Sequence, residues 1–348
     1  KIPHDATARG CAISRFHSPS TWIEGEAIRQ LDEVAARPGM IELKAFPDLH
    51  PGKYGPVGMV ALADRLYPQL VGNDIGAAGL EAVFIGPKLE FTADAMVAVT
   101  GAEMPIKVDG EERPGWTAFK VKAGQVLTFD FLKTGARIYI AVSGGIDVPV
   151  ALGSRSTYAI GALGGFKGRP IAAGDELPVG AAGKATEGRS IPENLRRRPG
   201  MPAALRVLPG LYWHRITEEA GRNFFEDEWK VAPEADRMGY RFRGGRKLDF
   251  VPRTPPFGAG SDPSNIVDGC YPYGSIQVPG GTEPIILHRD AVSGGGYFML
   301  GTVISADMDL IGQLQPHTPT RFVKVDMDTA LAARKDRAAL VNQIRALF

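Results

Sequence analysis

The chain has 348 residues, 44% of them hydrophobic, and its 40 Lys and Arg residues nearly balance 39 Asp and Glu residues. This length predicts two or three compact units with their own cores. The charge balance leaves no excess for nucleic-acid phosphates, and no apolar run approaches the roughly 18 residues of a membrane span. Because Cys11 and Cys270 predict no disulfide framework, we expect a cytoplasmic protein.

The N-terminal part of the chain predicts a helix and then a loop. In the segment TWIEGEAIRQLDEVAAR, Thr21 and Glu24 fit a capping box, and apolar residues recur on one helical face. Residues 47–58, PDLHPGKYGPVG, contain three prolines and three glycines. That composition predicts a loop without regular structure.

From Leu80 onward, the pattern is that of short β-strands. Runs of β-branched and aromatic residues are separated by Gly, Pro or Asp turns, in the order LEAVFI, AMVAVT, TAFKVK, QVLTFDF and ARIYIAV. Residues 181–204 lack periodicity and predict a linker between two halves. We then expect the strands LRVLPG, SIQVP, PIILH and RFVKV, a short helix capped by Thr217, and a terminal helix over about 327–346. The chain is predicted to be mainly β, as a barrel or a sandwich.

The turn-rich stretch SGGIDVPVALGSRST contains the first candidate site residues. Its glycines would let backbone N–H groups approach an anion, and Arg155 could bind a carboxylate or a phosphate through two hydrogen bonds. The alternative is that the glycines form tight corners and Arg155 pairs with a structural carboxylate. The predicted site residues of this stretch are Gly144, Gly145, Asp147, Ser154 and Arg155.

Two later segments contain the remaining candidates. In PEADRMGYR, Arg237 lies in a turn, where a local ion pair with Asp236 is the alternative to a binding role. In GSIQVPGGTEPIILHRDAVSGGGYFML, three glycines would allow a close approach to a ligand. Here we expect Asp290 to act as base or acceptor and Tyr297 as donor. Gln277, Gly295 and Gly296 complete the predicted substrate-binding residues, and Asp147, Arg155, Asp290 and Tyr297 the predicted catalytic ones.

Two other features of the sequence indicate no function. His214 and His288 have no partners at a recognisable spacing, which favours structural roles. The GGFKG segment lacks the Gly-Lys-Ser/Thr ending of a phosphate loop, so no motif predicts ATP binding.

Residues 20–76 resemble the N-terminal part of the RtcB-type RNA ligases, on the motifs TWIEGEAIRQL, PGM, PDLHPGKYGPVG and YPQLVGNDIG. In that family, an Asp and a Cys of the second loop bind a divalent metal such as manganese. Here Asp74 is present, but Ala77 occupies the cysteine position, and no ligase-like histidine motif follows. We therefore predict no metal site and regard an RNA ligase as the least favoured function, with residues 1–77 as a ligase-like fragment.

A second resemblance covers about 78–327. The segments AAGLEAVFIGPKLEF, ARIYIAVSGGIDVPVALGSRSTY, GALGGFKGRPIAAGDELPVG and GSIQVPGGTEPIILHRD, in this order, resemble the allophanate hydrolase subunit 2 family, which includes KipA and the C subunit of 5-oxoprolinase. The resemblance implies cyclophilin-like β-barrels with a few short helices and a C-terminal helix. The first barrel would cover 78–185, with Glu81 to Phe91 as a strand pair, and the second 205–348. Val292 departs from the family, which has Gln there.

This resemblance also implies a function. The chain would be a subunit of a biotin-dependent carboxyltransferase or of an ATP-dependent 5-oxoprolinase, acting on a small amide or lactam such as 5-oxoproline or urea. ATP or biotin would enter through a complex with an allophanate hydrolase subunit 1 (KipI-like) partner, and Arg155 with backbone N–H groups would meet negative charge on oxygen. A non-catalytic, KipA-like regulatory or binding subunit is the alternative. We expect neither a nucleic-acid nor a membrane partner.

Overall fold

The computed structural model describes residues 67–348 continuously, and before them 5–6, 12–15, 29, 32, 40–50 and 57–63. In this first part, β1 (Asp5–Ala6), β2 (Ala12–Arg15), β3 (Met40–His50) and β4 (Val57–Ala63) form one sheet in that order. The loop predicted over residues 47–58 is wrong at both ends, because its first residues belong to β3 and its last residues belong to β4. The helix predicted over 21–37 lies outside the described residues, except that 29 and 32 are helical.

The first β unit consists of two antiparallel four-stranded sheets. One contains β5 (Leu80–Val83), β7 (Ala95–Glu103), β10 (Ala118–Val121) and β12 (Thr134–Val142), and the other contains β6 (Leu89–Glu90), β8 (Ile106–Val108), β9 (Glu111–Arg113) and β11 (Val126–Phe129). Branched side chains from both sheets, such as Val97, Leu127 and Ile138, form one buried core. The prediction that residues 81–91 form a strand pair is wrong, because the two strands there do not pair with each other: β5 pairs with β12, and β6 pairs with β11. The backbone turns between β5 and β6 at Phe84, where φ is 62°.

The second β unit is a closed seven-stranded barrel. Its strands are β13 (Ala203–Pro209), β14 (Trp229–Ala235), β15 (Gly239–Arg243), β17 (Ser275–Gln277), β18 (Ile285–Leu287), β20 (Met299–Val303) and β21 (Pro319–Lys324). A separate ribbon pairs β16 (Asn265–Cys270) with β19 (Gly294–Tyr297). Aromatic rings fill the barrel core, with Phe224 stacked on Phe322 at 4.6 Å between ring centroids. The mainly β, barrel-containing fold class is confirmed.

The helices within residues 67–348 are α1 (Glu218–Glu226), α2 (Met308–Ile311) and α3 (Met327–Arg345). In the same range, 3₁₀ turns occur at Tyr67–Val71, Glu193–Leu195, Trp213–Arg215 and Pro279–Gly281. As predicted, Thr217 caps α1, because its hydroxyl accepts a hydrogen bond from the Ala220 N–H at 3.1 Å. The predicted C-terminal helix is also present. In the described part of the chain, no helix is both long and apolar enough to cross a bilayer.

Helix α3 joins the two β units. Near its N-terminal end, Ala333 packs with Ile304 and Ala306, which lie just after β20. Near its C-terminal end, Ile344 packs in a buried cluster with Leu70 of the first 3₁₀ turn, with Ala98 and Ala141 of the first unit, and with Ile191 of the predicted linker. Residues on both sides of position 77 thus share one core, and the predicted domain boundaries stay predictions.

Candidate functional site between the two β units

A cavity of about 1130 Å³ lies between the two β units, with walls from both of them and from α3. Among the described residues, its lining includes nine basic and three acidic side chains. The basic ones are Lys133, Arg137, Arg155, Arg169, Arg197, Arg198, Arg237, Arg289 and Arg337, and the acidic ones are Glu81, Glu103 and Asp309. The lining therefore contains more basic than acidic side chains although the whole chain is almost neutral. Four of the arginines are paired with carboxylates just outside the lining, namely Arg169, Arg197, Arg198 and Arg237. The positive charge that remains suits an anionic ligand.

The predicted residues Ser154 and Arg155 line this cavity. They belong to an exposed turn, where the Ser154 hydroxyl accepts a hydrogen bond from the Ser156 N–H at 3.1 Å. The Arg155 guanidinium donates to the Gly76 carbonyl at 3.2 Å. Within the described residues it forms no ion pair with a carboxylate, so the alternative of a structural ion pair is not realised there. Toward the residues that the structure describes, most of its hydrogen-bonding capacity is therefore unused.

Gly144 and Gly145 lie behind the cavity wall, in the turn after β12. The Asn73 side chain holds this turn, because its oxygen accepts from the Gly144 N–H at 2.7 Å and its nitrogen donates to the Val142 carbonyl at 2.8 Å. A Cβ atom on Gly144, where φ is 96°, would collide with the Gly180 carbonyl oxygen. These contacts support the tight-corner interpretation of the glycines. Asp147 is exposed and is not part of the cavity lining.

Arg237 also lines the cavity, and its partners differ from the predicted local pair. Its guanidinium donates to both carboxylate oxygens of Asp290, at 2.9 and 3.2 Å, and to Glu81 at 3.1 Å. The predicted ion pair between Arg237 and Asp236 is not formed, because the Asp236 carboxylate instead accepts hydrogen bonds from the backbone. Burial alone would lower the pKa of Arg237, but the hydrogen bonds and charges of Asp290 and Glu81 outweigh it and raise the pKa. Asp290 thus positions a permanently charged arginine at the wall.

A buried arginine connects the two units beside this group. Arg137 of β12 is only 3% exposed. It donates to the Tyr240 hydroxyl of β15 and, at 2.6 Å, to the Gly312 carbonyl, and its Nε atom lies 3.7 Å from Glu81. Since these groups belong to both units, the network fixes one wall of the cavity.

Two further polar side chains, Tyr273 and His288, line the cavity although sequence reasoning did not place them in the site. In the described part of the protein, neither ring nitrogen of His288 has a hydrogen-bond partner, although both are buried, and the buried Tyr273 hydroxyl has none either. Burial, helped by Arg137 and Arg289, lowers the pKa of His288 to about 4. Burial also raises the pKa of Tyr273 to about 12. Both groups are therefore neutral near pH 7. The available sequence signal was the position of His288 directly after an apolar strand and two residues before Asp290.

The remaining predicted residues lie apart from the cavity. Gln277 is buried in β17, while Gly295, Gly296 and Tyr297 belong to β19. The Tyr271 hydroxyl donates to the Tyr297 carbonyl at 2.6 Å and accepts from the Tyr297 N–H at 2.8 Å, and a Cβ atom on Gly295 would approach the Tyr271 ring to 3.3 Å. The close approach of the Tyr271 ring, rather than of a ligand, therefore accounts for the glycine at position 295.

No metal centre is formed by the residues that the structure describes. Among them, no group of three or more His, Cys, Asp or Glu side chains is arranged to hold an ion.

The family model of the carboxyltransferase domain, subdomain A and B, matches residues 55–324. The chain belongs to this carboxyltransferase family. The C subunit of 5-oxoprolinase from Escherichia coli K12 is 34% identical over 293 residues, which cover 83% of this chain and 88% of that protein. The crystal structure of K. lactis urea amidolyase superposes with a TM-score of 0.73 at 30% identity. That match covers 79% of this chain but only 17% of the amidolyase. The protein is thus a carboxyltransferase-like chain comparable in length to the 5-oxoprolinase relative.

The resemblance to RNA ligases is confined to a short segment. RNA-splicing ligase RtcB2 of Escherichia coli is 46% identical over 66 residues, which are 19% of this chain and 17% of the ligase. The carboxyltransferase match begins at residue 55 and so overlaps the predicted ligase-like fragment, residues 1–77.

Proposed function

We propose that this chain is the carboxyltransferase-like subunit of a multi-subunit enzyme that acts on a small lactam or amide bearing a carboxylate, with 5-oxoproline as the representative substrate. The observation that carries this proposal is the positive inter-unit cavity in which Arg155 has no carboxylate partner among the described residues. The relationship to a protein named as the C subunit of 5-oxoprolinase supports it. Urea, which carries no charge, would leave Arg155 without a charged partner among the described residues and ranks second.

In this proposal, Arg155 binds the substrate carboxylate, or an oxygen that gains charge during the reaction, through its planar fork of donors. Ser154 and Arg237 line the same cavity, and Asp290 positions Arg237. Asp147 and Tyr297 remain predicted catalytic residues without a place in the lining, and we assign no step to them.

We place the cofactor, ATP or biotin, in a complex with a KipI-like partner. Segment 150–171 supports a partner surface, because it both lines the cavity and exposes apolar side chains. The exposed ones are Val150, Leu152, Tyr158, Ile160, Leu163 and Ile171. An apolar surface of this kind at the edge of a site is typical of protein–protein contacts.

Reconstitution tests this function. The chain would be co-expressed with its KipI-like homologue, and 5-oxoproline-dependent and urea-dependent ATP hydrolysis would be measured on the purified complex, with avidin added to detect biotin dependence. Arg155→Lys keeps the charge but removes the fork, so kcat/KM should fall on the order of 10²-fold at an unchanged melting temperature. Arg113→Lys, on an exposed strand away from the cavity, is the matched control.

Two results would contradict these assignments. A destabilised Arg155→Lys variant with full specific activity would remove Arg155 from the site. A stable complex that turns over neither substrate would favour the regulatory role instead.

A further inference from the structure

We propose that His288 and Tyr273 form a subsite for a neutral amide, in which the imidazole and the phenol bind the N–H and C=O groups of a lactam or urea unit. This inference rests on the proposed function and extends it, since Arg155 accounts only for a charged part of the substrate. The two side chains line the same cavity as Arg155.

The unpartnered atoms are the first observation. The hydroxyl of Tyr273 and both ring nitrogens of His288 are buried without a well-formed hydrogen bond to any described residue. The Met308 backbone does interact with the imidazole and opposes part of the effect of burial on its pKa. A buried polar atom without a partner destabilises a folded protein, so such atoms are rare outside functional sites. Both residues line the cavity while these atoms themselves are buried, so a ligand that displaces the packing around them would supply the missing partners.

The chemistry of the two groups matches an amide. A neutral imidazole offers one acceptor and one donor, and a phenol offers a donor and an acceptor. An amide presents the complementary N–H donor and C=O acceptor. A second carboxylate is a worse fit, because a neutral imidazole has only one donor and its bare nitrogen would face the anion.

The surroundings keep both groups neutral and fixed. The charged groups near His288 are Arg137 of β12, Arg237 after β14 and the adjacent Arg289, all of which disfavour an imidazolium. The imidazole contacts the rings of Tyr240 and Tyr273, each at 5.6 Å between centroids. A further contact, 4.5 Å from the Arg289 guanidinium to the Tyr273 ring centroid, holds the phenol. Such packing restricts both side chains before a ligand arrives, which favours binding.

Three small probes separate the amide subsite from the anion site. They are 5-oxoproline, which has both groups, 2-pyrrolidinone, which has only the lactam, and cyclopentanecarboxylate, which has only the carboxylate. Their binding to the full chain would be measured by ligand-observed NMR titration. His288→Leu and Tyr273→Phe should each weaken 5-oxoproline and 2-pyrrolidinone about three- to tenfold, the scale of one lost hydrogen bond, and leave cyclopentanecarboxylate unchanged. Arg155→Lys should weaken only the two carboxylates.

Stability provides an independent readout. Because each variant removes buried polar atoms that lack partners, the melting temperatures of His288→Leu and Tyr273→Phe at pH 7.5 should equal or exceed that of the wild type. His214→Leu is the matched control, since His214 is an exposed histidine that is not part of this cavity, and it should alter none of the three affinities.

The outcomes that overturn the subsite are distinct from those that overturn the proposed function. Binding of cyclopentanecarboxylate but not of 2-pyrrolidinone to the wild type would refute the amide subsite and leave the anion site standing. A lowered melting temperature of both variants, or an equal loss for all three probes, would show that His288 and Tyr273 act structurally. Failure of the wild type to bind any probe would overturn both proposals.

Discussion

Replacing Arg137 by Met tests whether the buried network between the two β units is a main source of their cohesion. The Arg137→Met change keeps an unbranched apolar stem of similar reach but removes every donor of the guanidinium. The Tyr240 hydroxyl and the Gly312 carbonyl then lose their partner, and the Tyr240 hydroxyl loses it in a buried place, since Tyr240 is only 1% exposed.

The magnitude follows from these contacts. Each hydrogen bond from a charged donor contributes about 1.5–3 kcal/mol, so two of them contribute about 3–6 kcal/mol. The Glu81 contact at 3.7 Å adds little, because Glu81 keeps Arg237 as a partner. Removing a buried charge also removes its desolvation penalty, which offsets part of the loss. We therefore expect the free energy of unfolding to fall by about 3–5 kcal/mol.

Urea denaturation followed by tryptophan fluorescence and far-UV circular dichroism measures this loss. Trp116 reports on the first unit, and Trp213 and Trp229 report on the second. The matched control is Arg113→Met, whose guanidinium pairs with the exposed Glu111 on the same strand and should matter by less than about 1 kcal/mol. If Arg137→Met loses no more than this control, the network does not couple the units and the reasoning fails.

Two further changes probe the C-terminal helix and the buried imidazole. Ile344→Ala should lower the free energy of unfolding by about 2–4 kcal/mol, because Ile344 is 3% exposed in a core shared with Leu70. Leu347→Ala, at a side chain that is 43% exposed, should change it by less than about 0.5 kcal/mol; equal effects would contradict the role of the helix. His288 has a folded pKa of about 4 against an ordinary 6.5, so below pH 6.5 the unfolded chain binds a proton that the folded one does not. Between pH 7.5 and 4.5, the free energy of unfolding should therefore fall by about 2–3 kcal/mol more in the wild type than in His288→Leu, and this difference should level off below pH 4. Urea denaturation at each pH measures it, and an identical loss in both proteins would contradict the low pKa.

The sequence by itself determined many of the strands, the capped and C-terminal helices, and the class of fold. Runs such as ARIYIAV and RFVKV contain their strand signal within a few adjacent residues, and Thr217 caps its helix through a hydrogen bond to the residue three positions on. Such signals are local, because backbone preference and side-chain periodicity depend on neighbours in the chain. The resemblance to a carboxyltransferase-related family also lay in contiguous motifs, and the family match confirms it.

Only the tertiary structure decided which residues share a site. Ser154, Arg155 and Arg237 line one cavity, whereas Gly295 and Tyr297 belong to a separate ribbon held by Tyr271. Spacing along the chain contains no such information, since the cavity wall depends on a contact between Arg137 and Tyr240, which are 103 positions apart.

The role assigned to His288 depends on the tertiary structure for the same reason. The sequence shows a histidine at the end of an apolar run, which is compatible with a structural side chain. Its low pKa arises because the two β units bury it close to Arg137, which lies 151 positions away in the chain, as well as to the adjacent Arg289. Desolvation and Coulomb interactions depend on distance in space, so only the packing of the two units determines them.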